Sequence, residues 1–255
     1  MLTWSARRRA AYFLLAAAVL VALGVALYWY TKPAPSCLDG KQNGNELGPD
    51  CGGDCPQVCP REIQPVRVIW SRVFRVAADK YDVAALLENP NRSHGVKILP
   101  YVVRVLDADG ILVTLRPGRT YLNPEERIIV FESRLGVGQR VPARAILELP
   151  EPPVWRKMTE TRPELTVTSR GFNNQPWPRL VGSITNQSLQ PLTEILVAAV
   201  LADAEGNALA VSSTLVERLE AGESRELVYT WPEPFGEEPT TIEFYPHFDL
   251  TQLSG

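Results

Sequence analysis

The stretches YVVRVLDADG (101–110) and VAAVLADAEG (197–206) decide the fold. Each closes an apolar, β-branched run, Pro100–Leu106 in one case and Ile195–Leu201 in the other, long enough for a central strand. Each run ends in Asp-x-x-Gly, where the Asp side chain accepts from nearby backbone N–H groups and Gly takes the positive φ. The two stretches are copies, because landmarks around them recur in the same order and at the same offset. Asp107 and Gly110 return as Asp203 and Gly206, and Pro150, closing RAILELP, returns as Pro246, closing TTIEFYP. Between them LNPEERIIVFES (122–133) parallels LEAGESRELVYT (219–230), and upstream LLENPNRS (86–93) parallels SITNQSLQ (183–190) nearly in register. The expectation is one fold used twice, over residues 66–152 and 163–250.

Short runs of Val, Ile, Leu and Thr return at turn signals about every ten residues, the pattern of antiparallel sandwiches. The fold class read from the chain is all-β: two tandem immunoglobulin-like antiparallel β-sandwiches. One stretch, Asp79–Leu87, also admits a short helix. Pro60–Pro65 reads as a stiff linker, and EPPVW and TRPE near 150–163 break regular structure at the join.

Before these modules come two further segments. Residues 10–31 carry no charge, and Tyr12–Leu27 is almost entirely Ala, Leu and Val, enough to cross a hydrocarbon core of about 30 Å as one helix. Arg7, Arg8 and Arg9 precede it; Tyr28, Trp29 and Tyr30 close it as an interfacial belt, followed by Lys32. The arginines assign residues 1–9 to the cytoplasm and the rest of the chain to the outside. The localisation expected is a bacterial inner membrane, single-pass, with the bilayer as the first partner. A cleaved signal peptide has a shorter apolar region, although Ala34-Pro35-Ser36 before Cys37 imitates a cleavage or lipidation site.

Residues 36–60 hold all four cysteines, Cys37, Cys51, Cys55 and Cys59. On an oxidising side they read as two disulfides, and the spacing leaves three pairings open. So short a segment cannot bury a core, so covalent closure must hold it. Asp39, Asn43, Glu46 and Asp50 add oxygen ligands among glycines, the chemistry Ca²⁺ prefers, without the EF-hand spacing. A zinc site on three of the cysteines and a redox-active pair are the other readings; a structural staple is the plainest.

The cysteine segment resembles a motif at the start of many secreted or surface-attached bacterial proteins, C-x-D-G-x-x-N-G-x-E-x-G-x-D-C-G-G-x-C. Cys37, Asp39, Gly40, Asn43, Gly44, Glu46, Gly48, Asp50, Cys51, Gly52, Gly53 and Cys55 carry it. It implies export and no activity. The second module resembles the FxLYD-type immunoglobulin-like module of exported bacterial proteins. Gly182, Ile184, Asn186 and Ser188, then VLADAEG, then Leu219-x-x-Gly222-Glu223 carry that resemblance. Ala202 stands where the family usually has an aromatic. In the first module Asn89, Asp107 and Gly110 agree, whereas Pro124-Glu125 replaces Gly-Glu. The resemblance implies an extracytoplasmic spacer or interaction role.

Little in the chain argues for catalysis. A net charge of −3, from 26 basic and 29 acidic residues, argues against a nucleic-acid partner. The chain has two histidines, His94 and His247, and no G-x-S-x-G, GxGxxG or P-loop pattern. His247 with Asp249 reads as a packed strand end rather than a metal site. The sequons at Asn91 and Asn186 read as turn chemistry. The least bland stretch is Phe172-Asn173-Asn174-Gln175-Pro176-Trp177-Pro178, where Phe172, Asn173, Asn174 and Trp177 form a candidate interaction loop; the competing reading tucks both rings into the core. The function expected is therefore not enzymatic: a membrane-anchored structural or interaction protein, in contact with other envelope or membrane-complex proteins and without a resident cofactor. The alternatives are a ligand- or Ca²⁺-binding receptor and, further off, a thiol oxidoreductase.

Overall fold

The computed structural model describes residues 4–32 and 34–253 and resolves two compact units, 1–57 and 58–255. In the first unit a single helix, α1 (Trp4–Thr31), is apolar all round and long enough to cross a membrane between Arg8 and Thr31. A helix with no polar face has no water-facing side to offer. Its ends carry cation–aromatic contacts: the Arg8 guanidinium lies 4.3 Å from the Trp4 ring, and the Lys32 ammonium 5.4 Å from the Trp29 ring. The side chain of Arg7 lies outside the described residues.

The rest of the first unit is short of backbone ladders and is held by other means. Cys37 and Cys55 are joined across a Cα separation of 5.6 Å, and Cys51 and Cys59 are disulfide-bonded as well. A Cβ at Gly53, where φ is +59°, would collide with the Asn45 carbonyl oxygen, so only glycine fits there.

The second unit is all-β. Its first half contains β1 (Arg67–Ala77), β2 (Lys80–Glu88), β3 (His94–Leu106), β4 (Leu112–Leu122), β5 (Arg127–Leu135), β6 (Arg144–Glu148) and β7 (Trp155–Lys157). They form two antiparallel sheets, ordered β1-β2-β5 and β4-β3-β6, with β7 pairing His94–Val96 of β3 beyond the end of β6. The second half contains β8 (Leu165–Asn173), β9 (Arg179–Asn186), β10 (Leu192–Ala202), β11 (Ala208–Leu219), β12 (Ser224–Thr230) and β13 (Thr241–His247). Its sheets run β8-β9-β12 and β11-β10-β13, the strand orders of the first half in the same sequence.

Three apolar layers hold these four sheets together. Val83, Ala85, Leu87, Ile128 and Val130 meet Leu99, Val103, Val105 and Leu147 in the first core. Leu180, Ile184, Leu227 and Tyr229 meet Ile195, Val197, Ala199 and Leu201 in the second. The third layer lies between the halves: Phe74, Ala84, Leu86 and Ile129, from the back of β1-β2-β5, pack on Ala198, Val200 and Val211, from the back of β11-β10-β13. Trp70, Phe131 and Tyr245 rim it. The two inner sheets are therefore buried on both faces.

That burial corrects the reading of Asp79–Leu87. The segment is strand β2, not a helix, and its unbroken run Val83–Leu87 reflects two apolar faces rather than a helical stripe. Two other segments are more ordered than their prolines suggested. Pro60–Glu62 makes a 3₁₀ turn, and the join between the modules contributes β7, whose Trp155 packs on the first core. A strand forms there because Met158 N donates to the Ser93 carbonyl at 2.8 Å, tying the join to the end of β3.

Candidate functional site

Three places gather the chemistry-bearing residues. In the cysteine segment, the carboxylates bond inward. Asp50 accepts from the backbone N–H groups of Asp39 and Gly40 at 2.9 and 2.8 Å, and Glu46 from those of Asn43 and Asp50 at 3.1 and 3.3 Å. Asp39 accepts from Lys41 N and from the Asn43 amide, and the Asn43 bond chiefly holds its carboxyl below the usual carboxylate range. Asp39, Asn43, Glu46 and Asp50, grouped above as Ca²⁺ ligands, are brought close, but the three carboxylates act as turn acceptors and the Asn43 amide donates to Asp39. Among the described residues the one cluster at metal-ligand separation is Cys37, Glu46 and Cys55. Two of its three members are joined to each other as a disulfide and offer no thiolate. All four cysteines are oxidised.

A second gathering bridges the two halves of the β unit. Glu126, with no exposed surface, lies in the turn between β4 and β5, one residue before β5 begins. Its Oε2 accepts from Asn123 N at 2.9 Å, while its Oε1 lies 3.0 Å from Arg162 Nη2 and 3.2 Å from His247 Nδ1. The His247 ring stacks on Tyr121 at 3.9 Å, and its Nε2 lies 3.5 Å from Thr120 Oγ1. Asn123 donates to the Phe248 carbonyl and accepts from Leu250 N. Burial, joined by the Glu126 charge, pushes the Tyr121 phenol well above its ordinary value. A carboxylate this enclosed, satisfied by a guanidinium, a ring nitrogen and a backbone N–H, is built as a joint. His247 is thus a packed strand-end residue.

Matching turn devices stand behind both modules. Buried Asn89 donates to the carbonyls of His94 and Asn123 and accepts from Asn91 N; fully buried Asn186 donates to those of Gln190, Leu219 and Glu220 and accepts from Ser188 N. The Glu126–Asn123 backbone bond has its counterpart in Glu223 and Glu220 N at 2.7 Å. Both sequon asparagines, Asn91 and Asn186, are buried.

The third place is a groove of about 630 Å³ on the outer face of β8-β9-β12. Here the candidate interaction loop divides. Phe172 is half-buried, stacking on Phe235 with ring centroids 6.1 Å apart, and packs on the second core. Asn174 is buried and clamps Phe235 at both backbone groups, by 2.9 and 3.0 Å bonds. Asn173 accepts from Gln175 N at 3.1 Å. Trp177 alone presents its ring to solvent, 66% exposed, and it lines the groove with Arg170, Arg179, Val181, Glu226 and Thr230. The loop sequence suggests the aromatic; the two arginines carry no such signal, because they come from opposite strands of the β8–β9 hairpin.

No protein-family model and no curated protein sequence matches the chain. Among solved structures it is similar to red sea bream transglutaminase, at 11% identity over 74% of this chain and 30% of that one, with a TM-score of 0.23. The chain thus spans under a third of that protein, and so slight a likeness carries no functional argument.

Proposed function

We propose that the protein is a membrane-tethered structural or interaction protein, its β unit held outside the cytoplasm by α1 and presented to other envelope components. The observation that carries this is the apolar layer between the two halves of the β unit, with Ala84, Leu86, Ala198 and Val200 at its centre. Apolar burial on that scale, backed by the enclosed Glu126 joint, makes two sandwiches one stiff block instead of beads on a hinge. A stiff block on a single uncharged span suits holding and positioning. The orientation rests on the arginines at the N-terminal end of α1, ahead of its uncharged stretch, and on four oxidised cysteines after it, which belong on an oxidising side. The buried carboxylate and histidine serve the joint, and the reading assigns them no catalysis.

Native mass spectrometry of the full chain extracted in mild detergent tests it. Recovery with a protein partner at fixed stoichiometry supports the proposal. Recovery of the chain alone across extraction conditions, with no change in membrane-complex composition on deletion, overturns it.

A further inference from the structure

We infer that the groove under Trp177 binds an acidic glycan, a sugar chain bearing carboxylates. The inference goes beyond the positioning role and does not depend on it. The groove has the parts that hold a saccharide: an exposed aromatic plate, a shallow apolar floor, and planar polar groups around it. Trp177 supplies the plate, and Pro176 and Pro178 on either side restrict its backbone. Val181 makes the floor beside Gly171, its partner across β8 and β9. A Cβ at Gly171 would meet nothing within 4 Å, so the missing side chain leaves the floor open rather than relieving a clash.

The charges choose the class of sugar. Arg170 is fixed in the groove by donating from Nη2 to Ser183 Oγ at 3.1 Å, its one hydrogen bond among the described residues. Arg179 lines the same groove and forms no ion pair among the described residues. Against two guanidinium groups stands one carboxylate, Glu226. A guanidinium offers paired donors that match a carboxylate or a vicinal diol, and Glu226 and Thr230 accept from sugar hydroxyls. An apolar peptide anchor would want an enclosed pocket, and strand addition would use the backbone edge of β8, whereas the groove's side chains line the sheet face beside it.

The test is calorimetric titration of the full chain in zwitterionic lipid nanodiscs with tetragalacturonate, neutral cellotetraose and hexaglutamate. The expected result is saturable binding of tetragalacturonate below about 1 mM, with cellotetraose weaker by about tenfold and hexaglutamate weaker still. Trp177→Ala is expected to lower affinity at least about tenfold with an unchanged melting temperature, since the ring is exposed. Arg179→Ala is expected to lower it similarly and to flatten its salt dependence. Absence of tetragalacturonate binding overturns the inference, and so does binding that Trp177→Ala leaves untouched. Equal affinity for hexaglutamate overturns it in favour of bare charge attraction, and equal affinity for cellotetraose overturns the acidic class.

Discussion

His247 Nδ1 lies 3.2 Å from Glu126 Oε1, joining the last strand of the second sandwich to the β4–β5 turn of the first. Glu126 is fully enclosed, so its charge depends on Arg162 for compensation and on His247 Nδ1 and Asn123 N for hydrogen bonds. Replacing Glu126 with Ala leaves that buried donor unsatisfied and a void where the carboxylate stood, while Arg162 keeps solvent and the Pro246 carbonyl. The expected loss in urea denaturation is about 3 kcal/mol. In a cycle with His247→Ala, the two losses should fall short of additivity by about 1 kcal/mol. Strict additivity would mean the contact couples nothing.

Asn186 is the hub of the β9–β10 turn, with its amide shared among three carbonyls and its Oδ1 taken by Ser188. Asn186→Ala removes the partner of three carbonyls and of Ser188 N at once, the buried Leu219 carbonyl among them. It should cost about 3 kcal/mol, against about 0.5 kcal/mol or less for exposed Gln187→Ala. Chemical denaturation of both variants decides it.

The layer between the sandwiches is close-packed because Ala84 and Ala198 bring two sheet faces together. Ala198→Leu adds volume where none is available, and the expected destabilisation is about 2 kcal/mol. The variant should also expose strands β2 and β10 to faster hydrogen exchange, while β9 and β12, across the second core from β10, keep their protection.

Acid should weaken the fold through its turn carboxylates. The backbone N–H of Ile111, with Arg140, holds Asp107 below its ordinary range; Glu220 N and Arg225 do so for Glu223; Arg127 does so for Glu88. A depressed folded value means the stabilisation is present above the unfolded value and is lost as pH falls through the folded one. The melting temperature should therefore hold near neutrality and fall from about pH 4.5 downward. Asp82 opposes this slope, because burial raises its value and favours its protonated form in the fold. Asp107→Asn should make the acid slope shallower; an unchanged slope would remove Asp107 from the explanation.

The cysteines supply a chemical test against thiol redox function. With no free thiol in the chain, intact protein should not react with iodoacetamide until it is reduced, and should then take up four groups. Partial labelling before reduction would reopen that reading.

Much of this architecture was legible in the chain. Asp107 with Gly110, and Asp203 with Gly206, announce their turns because the bonds they make span only a few residues. The apolar runs of β3 and β10 announce central strands for the same local reason. The continuous Val83–Leu87 run was ambiguous, because a strand buried on both faces loses the alternation that separates strand from helix. The third apolar layer stayed hidden: Phe74 and Val200 are adjacent only once two sandwiches have formed and stacked. The same holds for Glu126, which in LNPEE reads as a solvated turn charge until His247, more than a hundred positions away, is folded against it. Arg170 and Arg179 likewise become one groove only through the β8–β9 pairing.

The stiffness of the β unit is the claim on which the positioning role rests, and hydrogen exchange of the full chain in detergent measures it directly. Strands β2 (Lys80–Glu88) and β10 (Leu192–Ala202) should exchange most slowly and in a single shared phase, since each is covered on both faces and they belong to one packed stack. Separate phases, with β10 and β11 opening while β2 and β5 stay protected, would contradict it and make the two sandwiches independent domains.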